Sequence, residues 1–126
     1  MQNIFALAAR VLLSILFIVA GYGKLTGFEG TVGYFGSIGL PVPTVTAALV
    51  TALELLGGIA ILLGLFARPV AVALALFCVA SGFVAHFQPA DQMQMINFMK
   101  NLGLAGGFLM ITAFGPGAFS IDARRA

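Results

Sequence analysis

Charge is what this chain has least of. Of its 126 residues, six are Lys or Arg and four are Asp or Glu, so charged residues make up 8%. A soluble domain carries about 25% charged and about 45–50% apolar residues. Here 61% are hydrophobic and the mean hydropathy is +1.12, which leaves too little polar surface to coat a water-facing globule. A soluble enzyme, a nucleic-acid-binding module and a disordered tail are excluded on composition alone. The single cysteine, Cys78, excludes an enzyme that passes electrons between two cysteines of its own. A lone cysteine in an apolar helix behaves as a small hydrophobe. The single histidine, His86, has no second His or carboxylate at i+3 or i+4, which argues against a metal or haem centre. It reads as an interfacial side chain. The net charge of +2 comes from scattered cations and not from the basic cluster that a nucleic-acid partner requires. No metal, no intrinsic cofactor and no nucleic-acid partner is expected.

Long apolar runs are what the chain does have. A bilayer core about 30 Å thick is crossed by about 20 apolar helical residues. Stretches 4–23, 44–66, 70–87 and 95–115 qualify, and none shows the alternation of a membrane β-barrel strand. The fold class is therefore all-α, a four-transmembrane-helix bundle forming a single domain over residues 1–126. The first run lacks the cationic start and the A-x-A site of a cleaved signal peptide, so it is read as a retained helix. Four spans put both termini and the second turn on one side. That side holds Arg68, Arg124 and Arg125, and the excess of cations predicts that both termini are cytoplasmic. These arginines read as topology signals with some anionic-lipid contact.

The connections are short except for residues 24–43. There Thr26-Gly27-Phe28-Glu29 has the form of a capping box, and Phe28, Val32 and Phe35 recur at i, i+4, i+7. A short amphipathic helix in the outer interface fits, and a re-entrant loop is the competitor. Residues 67–69, ending in Pro69, read as the link between helices 2 and 3. Asp91 reads as the cap of helix 4.

Ionisable groups inside a membrane are costly and usually paired. On helix 1, Arg10, Ser14, Phe17, Gly21 and Lys24 are spaced 4, 3, 4, 3 and so share one face, which should point into the bundle. Helix 2 carries one acid, Glu54, with Thr51 on its face, about 15 Å deep. Helix 4 carries Asn97, Lys100 and Asn101 at i, i+3, i+4. Lys100 and Arg10 bracket Glu54 in depth, so Glu54 is expected to pair with at least one of them. The cluster is either an ion pair that fixes register or a polar pocket that opens outward past Lys24 and Asn97. Sixteen glycines, including Gly57, Gly58, Gly103, Gly106 and Gly107, suit close helix packing within the bundle or a homo-oligomer interface.

Four groups of residues carry a family resemblance. They are Arg10, Gly21 and Lys24 on helix 1; Gly39-Leu40-Pro41-Val42-Pro43; Glu54-x-x-Gly57-Gly58 followed by Gly64 and Arg68; and Gly115-Pro116-Gly117 followed by Ser120-Ile121-Asp122. In this order and spacing the chain resembles the DoxX family of small four-helix bacterial inner-membrane proteins. The resemblance implies an inner-membrane location, with Arg10, Lys24, Glu54 and Arg68 as family-type polar positions. It also implies an association with redox and detoxification assemblies, because the name comes from a relative in a thiosulfate:quinone oxidoreductase. The leading expectation is a membrane subunit that supports redox chemistry through a quinone- or lipid-accessible pocket lined by Glu54, Lys100 and Arg10. A partner redox protein would carry the cofactor. No residue is singled out as catalytic. The alternatives are a small proton-coupled transporter and a non-catalytic scaffold in which the ion cluster only specifies the fold. Two cations on helix 1 count against a transporter of cationic drugs.

Overall fold

A computed structural model describes residues 1–125. Among them the chain is all helix and loop: α1 (Gln2–Thr26), α2 (Phe28–Ser37), α3 (Pro43–Leu63), α4 (Ala67–Ser81), α5 (Gln92–Phe114) and the short α6 (Ile121–Arg125). A π-turn, Gly82–His86, carries α4 onward. By length and composition three helices can cross a membrane: α1, α3, and α4 with its π-turn, Ala67–His86. The sequence reading counts four. α5 has the length, at 23 residues, but Gln92, Gln94, Asn97, Lys100 and Asn101 lower its hydropathy.

Local chemistry sets the helix ends. The sequence reading ends the second long helix at residue 66, whereas α3 stops at Leu63. Gly64 follows it with φ +68°, the left-handed region that glycine enters without strain. Residues 67–69 are read from the sequence as a link but form the first turn of α4. Pro69 is tolerated there because first-turn amides have no intrahelical partner. The carboxylate of Asp122 takes the place of a cap, accepting from Phe66 N and Ala67 N at 2.7 Å each. Asp91 caps α5 by accepting from Met93 N and Gln94 N. The capping box expected at Thr26 does not form. Thr26 Oγ1 donates instead to Tyr22 O and Gly23 O on the last turn of α1, and Gly27 begins α2 without a side-chain cap.

The long helices alternate in direction. α1 lies antiparallel to α3, and α4 to α5, and these two hairpin-like pairs have the most extensive contacts. Lipid tails are as apolar as leucine, so close backbone approach drives helix association in place of the hydrophobic effect. Gly21 supplies it between α1 and α3: a Cβ there would stand 2.7 Å from Leu55 N. Gly58 does the same, with Ile18 Cγ1 at 2.9 Å. The pairs join where Gly57 receives Leu74 and Gly107 receives Leu13. The shared core is Phe17, Ile61, Leu74, Phe108 and Ile111 with a set of alanines, and Phe17 meets the Phe108 ring edge-on at 5.3 Å. Outside, Leu12, Leu49, Leu56, Leu76, Met110 and Phe114 are 60–71% exposed. An apolar coat of that kind suits lipid and not water.

Candidate functional site

On α1, the buried residues are Arg10, Ser14, Phe17 and Gly21. They share one face, and Lys24 continues it. The two cations on this face meet different elements because α1 runs antiparallel to α3. Side chains lean toward their own helix N-terminus, so Lys24 leans into the bundle and Glu54 leans up to meet it. Lys24 Nζ lies 2.8 Å from Glu54 Oε1. Glu54 is 6% exposed, and among the described residues this is the one ion pair. Ser14 donates to Val11 O on its own helix. Thr51, one turn from Glu54, is buried, and its Oγ1 has no hydrogen-bond partner among the described residues.

The expected pairing of Glu54 with Arg10 or Lys100 is therefore replaced by pairing with Lys24. Arg10 lies at the far end of α1 and is 1% exposed. Its Nε donates to Ile61 O at 3.1 Å, Nη2 to Leu62 O at 2.9 Å and Nη1 to Pro116 O at 2.7 Å. Ile61 and Leu62 lie in the last turn of α3, where carbonyls lack intrahelical partners and the helix dipole favours a cation. Arg10 is thus a clamp that closes α3 and holds the segment after α5. Lys100 is exposed on α5. One residue is about 100° of helix, so of the expected trio only Asn101 faces fully inward. Its Nδ2 donates to Cys78 O at 3.2 Å and Ser81 Oγ at 3.1 Å. Asn97 is half-buried and contributes no side-chain hydrogen bond.

The Lys24–Glu54 pair sits in the wall of a cavity of about 460 Å³. It lies between the two helix pairs, in the half of the bundle nearer α2 and the α4–α5 loop. α1 contributes Leu16, Phe17, Ala20 and Lys24, and α3 contributes Thr46, Val50 and Glu54. Phe77, Cys78 and Ser81 of α4 and Asn101 and Leu104 of α5 form the opposite wall, and Tyr34 and Phe35 of α2 with Ile38 just after it cover it. Neither Arg10 nor Lys100 lines it, which corrects the pocket expected from the sequence.

The sequence reading missed a second polar group at this cavity. His86 lines it, with Nδ1 2.7 Å from Gln94 Oε1. With that oxygen accepting, Nδ1 is the donor of this contact. The π-turn puts His86 there, because an i→i+5 turn rotates all that follows it. Asn101 stands where α4 gives way to that turn, and Gly82 admits it closely: a Cβ would meet Asn101 Cβ at 3.4 Å. The only available signal was Gly82 followed by a histidine at a helix end, and periodicity does not distinguish a π-turn from an α-turn.

At the opposite end, Arg68 is exposed in the first turn of α4, and Arg124 and Arg125 are exposed on α6. The Arg125 guanidinium lies 4.5 Å from the centre of the Phe66 ring. Ala118 N donates to Asn3 Oδ1, which ties the last segment to the start of α1.

A family model named DoxX matches residues 5–87. The chain is 43% identical to "Inner membrane protein YqjF" of Escherichia coli over 122 residues, 97% of this chain and 92% of that one. It is 37% identical to "Inner membrane protein YphA" of the same organism over 128 residues, 98% and 91% of the two chains. It is also 46% identical to "Putative oxidoreductase CatD" of Bacillus subtilis over 70 residues, 56% of this chain and 51% of that one. No solved structure matches.

Proposed function

Because the chain belongs to the DoxX family of membrane proteins, we propose that it is a membrane subunit whose lipid-accessible cavity takes a quinone-type ring and so supports redox chemistry carried out with a partner. α5 is the fourth crossing, with its polar residues grouped near its Asp91 end. α2 lies along the outer interface, and Arg68, Arg124 and Arg125 hold both termini in the cytoplasm. The oxidoreductase name of the Bacillus relative supports the redox association. A partner redox protein supplies the electron-carrying cofactor.

The carrying observation is the ion pair of half-buried Lys24 with buried Glu54 in the wall of an apolar, aromatic-lined cavity. Ligand sites are typically apolar hollows with a few convergent polar groups. The residues present fit a quinone: Phe17, Phe35, Phe77 and Tyr34 provide faces for a ring, and polar groups stand at intervals around it. A bound quinone supplies two-electron, two-proton chemistry. Lys24 Nζ would donate to a quinone oxygen, Glu54 would hold or release a proton beside it, and His86 lines the same cavity as a second polar side chain.

The test is a titration of the purified protein with a short-chain ubiquinone or menaquinone analogue, read by tryptophan-free fluorescence quenching of an environment-sensitive quinone probe. Micromolar binding that Glu54→Gln weakens at least tenfold is the expected result. No binding, or binding indifferent to Glu54→Gln, rejects the reading. Unchanged assembly and phenotype after apolar replacement of both Lys24 and Glu54 would leave the scaffold alternative in its place.

A further inference from the structure

We infer that the end of the bundle carrying the termini holds a seat for the phosphate-bearing headgroup of an anionic phospholipid, framed by Arg68 and Arg125. A concavity of about 410 Å³ there is lined by Phe66, Arg68, Pro69, Pro116, Asp122 and Arg125. It is separate from the cavity at Glu54, and this inference does not depend on what that cavity binds.

Three observations converge on an anion. The first concerns the only acid in the lining. Both carboxylate oxygens of Asp122 accept backbone amides, from Phe66 and Ala67, and among the described residues neither pairs with Arg68 or Arg125. The second concerns how the arginines are held. Arg68 lies against the Gly115 backbone, where a Cβ would come within 3.2 Å of Nη2 and 3.3 Å of Nε. Arg125 lies over the Phe66 ring at 4.5 Å, a cation–π arrangement that uses the face of the guanidinium and leaves its N–H edge free. Among the described residues neither arginine forms an ion pair within 4.0 Å. Two guanidiniums that line one hollow and form no ion pair among the described residues suit the charge-assisted capture of a phosphate.

The third observation is the floor. Phe66 has φ +47°, a left-handed backbone that a bulky residue rarely adopts, and its ring is 52% exposed. The Asp122 bridge across Phe66 N and Ala67 N holds that conformation. The result is an apolar shelf of Phe66, Pro69 and Pro116 directly beside two cations. A free anion has no use for the shelf. A phospholipid does, because its glycerol and first acyl carbons lie beside its phosphate, and a basic pocket at the end of a helix bundle is a known setting for such headgroups. The seat faces a leaflet whichever way the protein is oriented.

The experiment uses the full chain, delipidated in detergent and examined by native mass spectrometry with phosphatidylglycerol or phosphatidylcholine of matched acyl chains. We expect phosphatidylglycerol to be retained at least tenfold more strongly. The double variant Arg68→Gln/Arg125→Gln should cut that preference to less than twofold while the melting temperature stays near wild type. Arg68→Lys, which keeps the charge, should lose most of Arg68's share, because a lysine has no planar face to lie on Gly115. Should the double variant misfold, Arg125→Gln alone is the readout, with a partial loss expected. Millimolar inorganic phosphate should displace little lipid. Equal retention of the two lipids, or a wild-type preference in the variants, overturns the inference. So does displacement of the lipid by phosphate alone, which would assign the site to the free ion.

Discussion

Arg10 and Lys24 share one face of α1 yet do unlike work, and the difference comes from what α3 presents at each depth. Arg10 meets carbonyls at a helix end; Lys24 meets a carboxylate in a cavity wall. Arg10→Leu removes three charge-assisted hydrogen bonds, leaving Ile61 O only its Gly64 N–H donor. A hydrogen bond to a charged group contributes about 1.5–3 kcal/mol, so unfolding in detergent should show a loss of at least about 3 kcal/mol, and a melt near wild type would contradict the clamp. Removing one partner of a buried ion pair costs about 3–5 kcal/mol, whereas replacing both can be neutral. Lys24→Met should therefore destabilise strongly, and Lys24→Met/Glu54→Leu should recover most of the loss; a denaturation cycle over the four proteins measures this. The shared face was legible from the 4, 3, 4, 3 spacing. The partners were not, because depth counted along each helix ignores the lean of the side chains, and that lean brings Lys24 and Glu54 together. Lys100 was misplaced for a related reason: an i, i+3, i+4 trio covers about 100° of arc, Lys100 and Asn101 stand at its two edges, and only the Asn101 edge meets α4.

Among the elements, the long helices could be read from apolar runs alone, to within a few residues at their ends. The ends themselves depended on long-range contacts. Asp122 starts α4 from far along the chain, so residues 67–69 looked like a linker. The π-turn was hidden because the side chain packed against its start, Asn101, lies on another helix. Glycine identity was equally ambiguous in the sequence, and the packing divides it. Gly21 and Gly58 face backbone or side-chain atoms within 3 Å of a new Cβ, whereas Gly103 and Gly106 face open space. Gly21→Ala should destabilise by about 1–3 kcal/mol through overpacking. Gly103→Ala and Gly106→Ala should be neutral or gain up to about 1 kcal/mol from helix propensity. Thermal melts of the three variants compare them directly. A large loss at Gly103 or Gly106 would point instead to a helix face covered by a second copy of the chain.

For the molecule as a whole, four crossings demand that the two termini share a compartment, and three demand that they do not. A reporter active only in the cytoplasm should be active when fused at either end; activity at one end alone would remove α5 from the set of spans. The sequence made the membrane location plain because scarce charge is a bulk property. It could not place a cavity, which depends on how two helix pairs fail to close against each other.

The clamp at Arg10 also has a consequence for the order in which the protein is made. α1, made before the other described helices, buries a cation that needs Pro116 O as one of its three acceptors. The turn between α3 and α4 waits for Asp122, and Asn3 waits for Ala118. An early part of the chain is thus completed by a much later one, so a chain not yet extended to Pro116 holds an arginine in the membrane with one of its three acceptors still unsynthesised. Quality control that recognises exposed intramembrane charge would have until Pro116 emerges to act on it, and chains stopped short of Pro116 should be the ones it removes.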